Sequence, residues 1–312
     1  MNLTILIDNE PYIQSDPYQV QLHDSFRKNH NCQYVNLDTI GEIKPAYENV
    51  YIATRFRNTI RQKKTIANWL SGRRCLVQDY DPWVFMDQTS QHYMGYKIAS
   101  EAIPNSSFLI PNSFWSNFIS EKLNIKTHSF RLGMSPELCD DSPFENRKIP
   151  IEFRGSSNPA REKNFKEFHL RVPTAKWERS KIAPYSEFLK HLSNIKVWAH
   201  DESECVTFQD EAISRNCLWP KAIEVISRGC FLIRDWQVEA DNYGISSLPT
   251  VFLYKNISEA QVLLDKINRM SNEECNNRIS QSVEWVKKQD FYEKISENLE
   301  KWLSEPTQRV LK

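Results

Sequence analysis

Short apolar runs that alternate with amphipathic segments of ten or more residues constrain this chain more than any other feature. LTILID (3–8) reads as a strand. YQVQLHDSFRKNH (18–30) follows as a helix, with Val20, Leu22 and Phe26 at helical spacing. QYVNLDTI and ENVYIATRF (48–56) supply two more strands. NTIRQKKTIANWLSG (58–72) is an amphipathic helix that Gly72 stops. RCLVQDYDPW, a helical SQHYMGYKIASEAI, the strand SSFLIPN, the helix SFWSNFISEKLN with Asn112 or Ser113 as its N-cap, and KTHSFRLGM complete the first half. A helix-length crossover between strands cannot close an antiparallel hairpin, so the pattern predicts βαβ units and a parallel sheet.

SPELCDDSPFENRKIP (135–150) has three prolines and no periodicity, and reads as the linker. The alternation then restarts with IEFRGSS, REKNFKEFHLRV, YSEFLKHLSN, IKVWAHD, the helix and strand of NCLWPKAIEVISRGCFLIRD (216–235), and TVFLYKN (250–256). The end of the chain is helical and charged. These elements predict α/β architecture with two Rossmann-like domains, residues 1–140 and 141–285, facing a central cleft. Residues 286–312 form a last helical stretch.

Composition narrows the function classes. With 40 basic and 40 acidic residues among 312, the formal charge is zero, which argues against a chain-wide affinity for polyanions. The N-terminus has no basic region ahead of its short apolar run, and no apolar run approaches the ~20 residues of a membrane span. Seven scattered cysteines form no CxxC pair, so a zinc site or disulfide framework is not suggested and a cytoplasmic protein is expected.

In open α/β sheets, ligands bind beyond the carboxyl ends of the strands, so residues where strands run out into loops carry the functional reading. FRGSSNPAREK (153–163) sets Arg154 and Gly155 at a strand end, with Arg161 and Lys163 in the first turn of the next helix. Close backbone approach, free N–H groups and cations suit a phosphate, although surface cations on a loop would look the same. Neither GxGxxG nor GxxxxGK[ST] occurs. In WPKAIEVISRG, Pro220 fits a first helical turn, and Lys221 and Glu224 fall three apart on one face. A carboxylate there can accept two ribose hydroxyls while the Lys meets a diphosphate. The bland alternative is an exposed ion pair worth a few tenths of a kcal/mol.

W-x-K-x-x-E, followed by Arg228-Gly229-Cys230 and the apolar FLI, resembles the nucleotide-sugar-binding segment of GT-B glycosyltransferases of the "glycosyl transferases group 1" superfamily. IEFRGSS with Arg161 and Lys163 resembles the start of that family's C-terminal domain. The resemblance implies that Arg154, Arg161 and Lys221 hold the donor diphosphate and that Glu224 holds the ribose. It places Gly133 of Gly133-Met134-Ser135 beside the diphosphate and His200 near the nucleotide base. It also implies no cofactor and no essential metal, and a last helical stretch, 286–312, that crosses back to the first domain. The family's E-x(7)-E is absent, since Asn216 and Leu232 stand eight residues either side of Glu224. This departure leaves the donor sugar and the stereochemical course open.

The first half is then expected to bind the acceptor. Asp79 and Asp81 follow the fourth strand and are candidate general bases on an acceptor hydroxyl. Trp83 and Tyr93, with Phe85 and Tyr96, offer flat faces for sugar stacking, and Asn112 lies at the next strand end. The alternative makes Asp81-Pro82 a helix start and the aromatics core. His200-Asp201-Glu202 is a poor metal site, because adjacent residues on a strand end alternate in direction. Arg55, Arg57, Arg61, Lys63, Lys64, Arg73 and Arg74 read as a solvated face, or as a patch for a phosphate-bearing acceptor at a membrane surface or on a nucleic acid. The expected activity is sugar transfer from a nucleotide-diphosphate-sugar to a hydroxyl of a glycan, lipid-linked glycan or other acceptor. The alternatives are a phage-type DNA-modifying glycosyltransferase and a non-catalytic two-domain sugar- or nucleotide-binding protein.

Overall fold

The computed structural model describes residues 1–9, 16–154, 159–178, 182, 184–201, 205–216 and 220–305, without the side chains of residues 154, 159–161 and 176. It divides into two compact units. The first comprises Met1–Leu132, Cys205–Ile213 and Phe291–Lys312; the second comprises Gly133–Glu204 and Ser214–Asp290. The sequence reading had set the divisions after residues 140 and 285.

The first unit holds a six-stranded sheet of β1 (Asn2–Ile7), β2 (Asn31–Asn36), β3 (Val50–Ile52), β4 (Cys75–Gln78), β5 (Ser106–Ile110) and β6 (Thr127–Ser129). Its order is β2-β1-β3-β4-β5-β6, and every pairing is parallel. The central strands read as continuous apolar runs because helices cover both faces. Leu3, Ile5, Leu6, Val50, Ile52, Leu76, Val77, Phe108 and Leu109 have no exposed surface.

The second unit holds β7 (Ile149–Arg154), β8 (Lys176–Glu178), β9 (Ile195–His200), β12 (Phe231–Asp235) and β13 (Val251–Tyr254), in the order β8-β7-β9-β12-β13 and again all parallel. Numbered within its own unit, the first sheet runs 2-1-3-4-5-6 and the second 2-1-3-4-5. The chain therefore reverses its direction of travel once per sheet, between the first and third strands, and such a point is where an α/β sheet opens a crevice.

Three elements differ from the sequence reading. The expected helix 58–72 is two, Phe56–Arg61 and Lys63–Leu70, joined at Gln62 with φ −102° and ψ 17°. A short helix, Pro82–Met86, follows β4, and the next helix spans only Gly95–Ala102. Gly95 lets that helix lie against its neighbours, since a Cβ there would sit 2.7 Å from Ile60 Cδ1 and 2.7 Å from Phe85 Cδ1. The third is a hairpin of β10 (Cys205–Phe208) and β11 (Glu211–Ser214), turned by Gln209 and Asp210 at φ 49° and 66°. Most of this hairpin belongs to the first unit, although the chain on either side belongs to the second. The Gln88 N–H donates to the Thr207 carbonyl at 2.7 Å, and the Phe208 ring meets Tyr93 and Phe118.

Candidate active site

In the first unit the switch point lies between β1 and β3. Asp8, just past β1, accepts hydrogen bonds from the Arg55 backbone N–H and from Asn58 Nδ2, both at 3.0 Å. The Arg55 guanidinium Nε stands 3.9 Å from the same carboxylate. One strand further on, a pocket of about 420 Å³ opens over the ends of β3 and β4. Arg55 and Arg57 line it from the β3 side, Asp79 and Asp81 from the β4 side, and Phe85 and His92 from the helix-and-turn segment beyond.

Asp79 is 4% exposed. One carboxylate oxygen accepts from the Tyr96 hydroxyl, and the other from the Asp81 backbone N–H at 3.1 Å. Burial pushes its carboxyl up to about 7; the Tyr96 hydrogen bond opposes this rise and the nearby Asp81 charge adds to it. A carboxyl poised near neutrality, hydrogen-bonded on both oxygens and bordering a pocket, has the properties of a general base. Asp81 is half-buried at the same pocket.

The aromatics divide. Trp83 is 6% exposed and Tyr96 fully buried, so both serve the core. Tyr96 packs edge-on to Phe108, with Phe56 and Phe85 against its other sides, and this packing aims its hydroxyl at Asp79. Tyr93 is half-buried against Phe208. Asn112 is the N-cap of the helix Ser113–Leu123, its side chain accepting from the Trp115 N–H at 2.9 Å.

The basic run is split by the topology. Arg55 and Arg57 follow the carboxyl end of β3, whereas Arg73 and Arg74 precede the amino end of β4, at the opposite edge of a parallel sheet. Arg73 stands 3.6 Å from Glu48, and Arg74 donates to the Ser304 carbonyl at 3.0 Å.

In the second unit, the helix Pro220–Ser227 starts over the carboxyl edge of its sheet, as does Tyr185–Leu192. Glu224 has no exposed surface. Its Oε1 accepts from the Tyr185 hydroxyl at 2.6 Å, and Lys221 Nζ lies 2.7 Å from Oε2. The ammonium approaches Oε2 outside hydrogen-bonding geometry, so this oxygen holds an ion pair but no hydrogen bond. Lys221 is 35% exposed along its side chain and rests over the Phe188 ring at 4.0 Å. The exposed i,i+3 pair of the bland sequence reading is thus replaced by a buried carboxylate under a partly exposed lysine.

At this unit's switch point, between β7 and β9, His200 is 7% exposed and stacks over Phe153 at 6.3 Å. The adjacent Asp201 accepts from Asn164 Nδ2 at 2.5 Å and from the Tyr254 hydroxyl at 2.6 Å. Lys163 is exposed on the helix Pro159–Arg171. Gly155 and the side chains of Arg154 and Arg161 lie outside the described residues. Gly133 is buried at the first position of the second unit, and the next residue, Met134, takes a 3.9 Å contact from the Tyr185 hydroxyl. Among the described residues, no group of three or more His, Cys, Asp or Glu is arranged to hold a metal ion, and no helix is long and apolar enough to cross a membrane.

Sequence reasoning missed Tyr96 as the partner of Asp79, His92 as a pocket residue, and Tyr185 as the partner of Glu224. Tyr185 directly follows Pro184 at a helix start, a position that signals an element boundary but no chemistry.

No family model and no curated protein matches the sequence. Solved structures do resemble it. Anabaena HepE, solved with UDP, superposes with a TM-score of 0.60 at 11% identity, over 97% of this chain and 100% of HepE. A UDP-forming α,α-trehalose-phosphate synthase from Burkholderia xenovorans, in complex with glucose-6-phosphate, gives 0.57 at 10% identity over 92% and 77%. A DNA-modifying β-glucosyltransferase gives 0.54 at 10% identity over 97% of each chain. Together with the two parallel sheets of matching strand order, these likenesses show that the fold is GT-B, two Rossmann-like domains.

Proposed function

We propose that this GT-B protein is a glycosyltransferase that moves a sugar from a nucleotide-diphosphate-sugar to an acceptor hydroxyl. The observation that carries the reading is Glu224, fully buried one turn into the helix Pro220–Ser227 and held by Lys221 and Tyr185. A carboxylate so placed is costly unless it has a partner. The Lys221 arm, long and partly exposed, can exchange Glu224 for a second anion. When a donor diphosphate arrives, Lys221 moves to it, and the uncovered Oε2 accepts from the ribose hydroxyls. Arg154, Arg161 and Lys163 add positive charge along the donor. Solved structures of HepE contain UDP and UDP-glucose, which makes a uridine nucleotide the first donor to test.

In the first domain, Asp79 takes the proton of the acceptor hydroxyl. The bond from the sugar's anomeric carbon to the diphosphate breaks, a new bond to the acceptor oxygen forms, and the nucleoside diphosphate leaves. Tyr96 fixes the Asp79 carboxylate for this transfer. The leaving charge falls on cationic side chains, and no essential metal or cofactor is assigned. A cytoplasmic location fits this reading.

The test is UDP binding by thermal shift and calorimetry. At a hundredfold excess over Kd, UDP should stabilise the protein by about 2.7 kcal/mol. Glu224→Gln, which keeps the shape and the Tyr185 hydrogen bond, should weaken UDP by about tenfold or more, the cost of losing a charged hydrogen bond. Unchanged UDP affinity in that variant would remove Glu224 from the donor site.

A further inference from the structure

The pocket over β3 and β4 takes polar side chains from separate stretches of chain, Asp79 from a strand end and His92 from the turn ahead of the helix Gly95–Ala102. On the premise of glycosyl transfer, we propose that His92 is a second acceptor-binding residue that sets specificity. Its imidazole hydrogen-bonds an oxygen of the acceptor other than the hydroxyl that meets Asp79. The pocket then selects a polyhydroxylated ring over a ring with a single hydroxyl.

His92 is held in place by its own segment. Its N–H donates to Ser90 Oγ at 3.1 Å, and its carbonyl accepts from the Gly95 N–H at 3.1 Å. The Met94 N–H closes the turn onto the Phe85 carbonyl at 3.0 Å. The hairpin of β10 and β11 clamps the same turn from outside. Besides the bond from the Gln88 N–H to Thr207, Gln88 Nε2 donates to Asp210 Oδ1 at 3.0 Å and Gln88 Oε1 accepts from the Asp210 N–H at 3.2 Å. The imidazole leans on the Phe85 ring at 5.8 Å, and Phe85 also packs against Tyr96, the residue that orients Asp79. One aromatic cluster therefore supports both polar groups, which favours a preformed site.

The ring nitrogens of His92 are nevertheless uncommitted. Other histidines of this chain use theirs on the fold: His23 bonds Gln19 at 3.1 Å and Tyr34 at 3.2 Å, and His169 bonds the Ala175 carbonyl at 2.9 Å. Among the described residues, those of His92 have only a contact of 3.5 Å with the exposed Gln91 amide, at the outer limit of a hydrogen bond.

Asp79 alone cannot discriminate. An ionised carboxylate only accepts, and it already takes one donor on each oxygen. Any hydroxyl that enters can meet it. A second polar contact from another wall decides which hydroxyl arrives, and a neutral imidazole suits either role because it has one donor and one acceptor nitrogen. Phe56, Val84 and Phe85 supply an apolar lining for the C–H face of such a ring.

The full-length protein is titrated with cyclohexanol and with the 1,2-, 1,3- and 1,4-cyclohexanediols, followed by ligand-observed NMR. At least one diol should bind about fivefold or more tightly than cyclohexanol, the net value of one hydrogen bond. His92→Ala should bring that diol down to the affinity of cyclohexanol. His92→Phe, which keeps a ring against Phe85 but has no nitrogen, should do the same. Gln91→Ala, next to His92 but outside the pocket lining, should keep the preference. Unchanged cyclohexanol affinity shows that the pocket of a variant is still formed.

The inference is overturned if no diol exceeds cyclohexanol, or if the preference survives in both His92 variants. Should UDP bind while the diol preference is missing, glycosyl transfer stands and the role of His92 falls. Should a His92-dependent preference appear without UDP binding, the pocket chemistry stands and glycosyl transfer falls.

Discussion

Asp79 links structure to pH. Its carboxyl titrates near 7 because burial penalises the charged form more than Tyr96 and the Asp81 N–H favour it. The folded value lies above the unfolded one, so the buried acid costs nothing below pH ~4, and stability is lost as pH rises through about 7. The upper bound on that loss is about 4 kcal/mol, from the size of the shift. Asp79→Asn should therefore melt higher than the native protein at pH 8 and no higher at pH 4. Activity should respond in the opposite sense. The native rate should climb through an apparent pKa near 7 as the base ionises. The Asn variant should lose about 10²–10⁴ of the rate together with that limb. Equal melting of the two proteins at pH 8 would show that Asp79 is not a strained carboxylate. The pair Asp79 and Asp81 was legible in the sequence as acids at a strand end. Tyr96 was not, because it lies seventeen residues on and only packing brings its hydroxyl to Asp79.

Among the elements, the helix Pro220–Ser227 shows how a local signal and a distant one converge. The Gly229 N–H bonds to the Ile226 carbonyl at 3.0 Å and the Cys230 N–H to the Val225 carbonyl at 3.1 Å, the paired bonds of a Schellman stop. Gly229 sits at φ 69°, which the sequence reading anticipated in giving it the turn from helix to strand. What surrounds it was not legible. Arg147 runs beneath, donating to the carbonyls of Arg228, Ile195 and Ser142, and a Cβ on Gly229 would come within 2.5 Å of its Nη2. Gly229→Ala should cost about 1–3 kcal/mol from backbone strain alone, and more if Arg147 must give up a carbonyl. A midpoint shift in urea below about 0.5 kcal/mol would show that the stop is adaptable. The hairpin at 205–214 escaped the sequence reading for a related reason: Gln209-Asp210 adopts positive φ at both turn positions without the Asn-Gly or Asp-Gly that marks such turns.

At the scale of the whole molecule, the chain changes unit four times, and its last crossing is structural. The helix Phe291–Ser304 buries Phe291, Tyr292, Ile295, Leu299 and Leu303 in the first unit. Ser25 donates to the Tyr292 carbonyl, His30 pairs with Ser296, and Lys28 with Glu293. Five such side chains represent roughly 10 kcal/mol of apolar burial, comparable to the whole stability of a domain. Truncation after Asp290 should therefore unfold the first unit rather than trim a tail. Limited proteolysis that spared residues 1–132 in the truncated chain would refute this.

By itself the sequence determined the α/β class with two Rossmann-like domains and most strands, because apolar period, helix length and turn chemistry are local. It also marked Lys221 with Glu224 and Asp79 with Asp81 as acids and a base at element ends. Only the tertiary structure decided what those groups meet. Tyr185 reaches Glu224 from another helix, Tyr96 reaches Asp79 across the core, and parallel strand order sends Arg57 to the pocket and Arg74 to the opposite edge. Such partners are set by which strands lie side by side and by which way each chain segment runs, and neither is encoded within the span of any one segment.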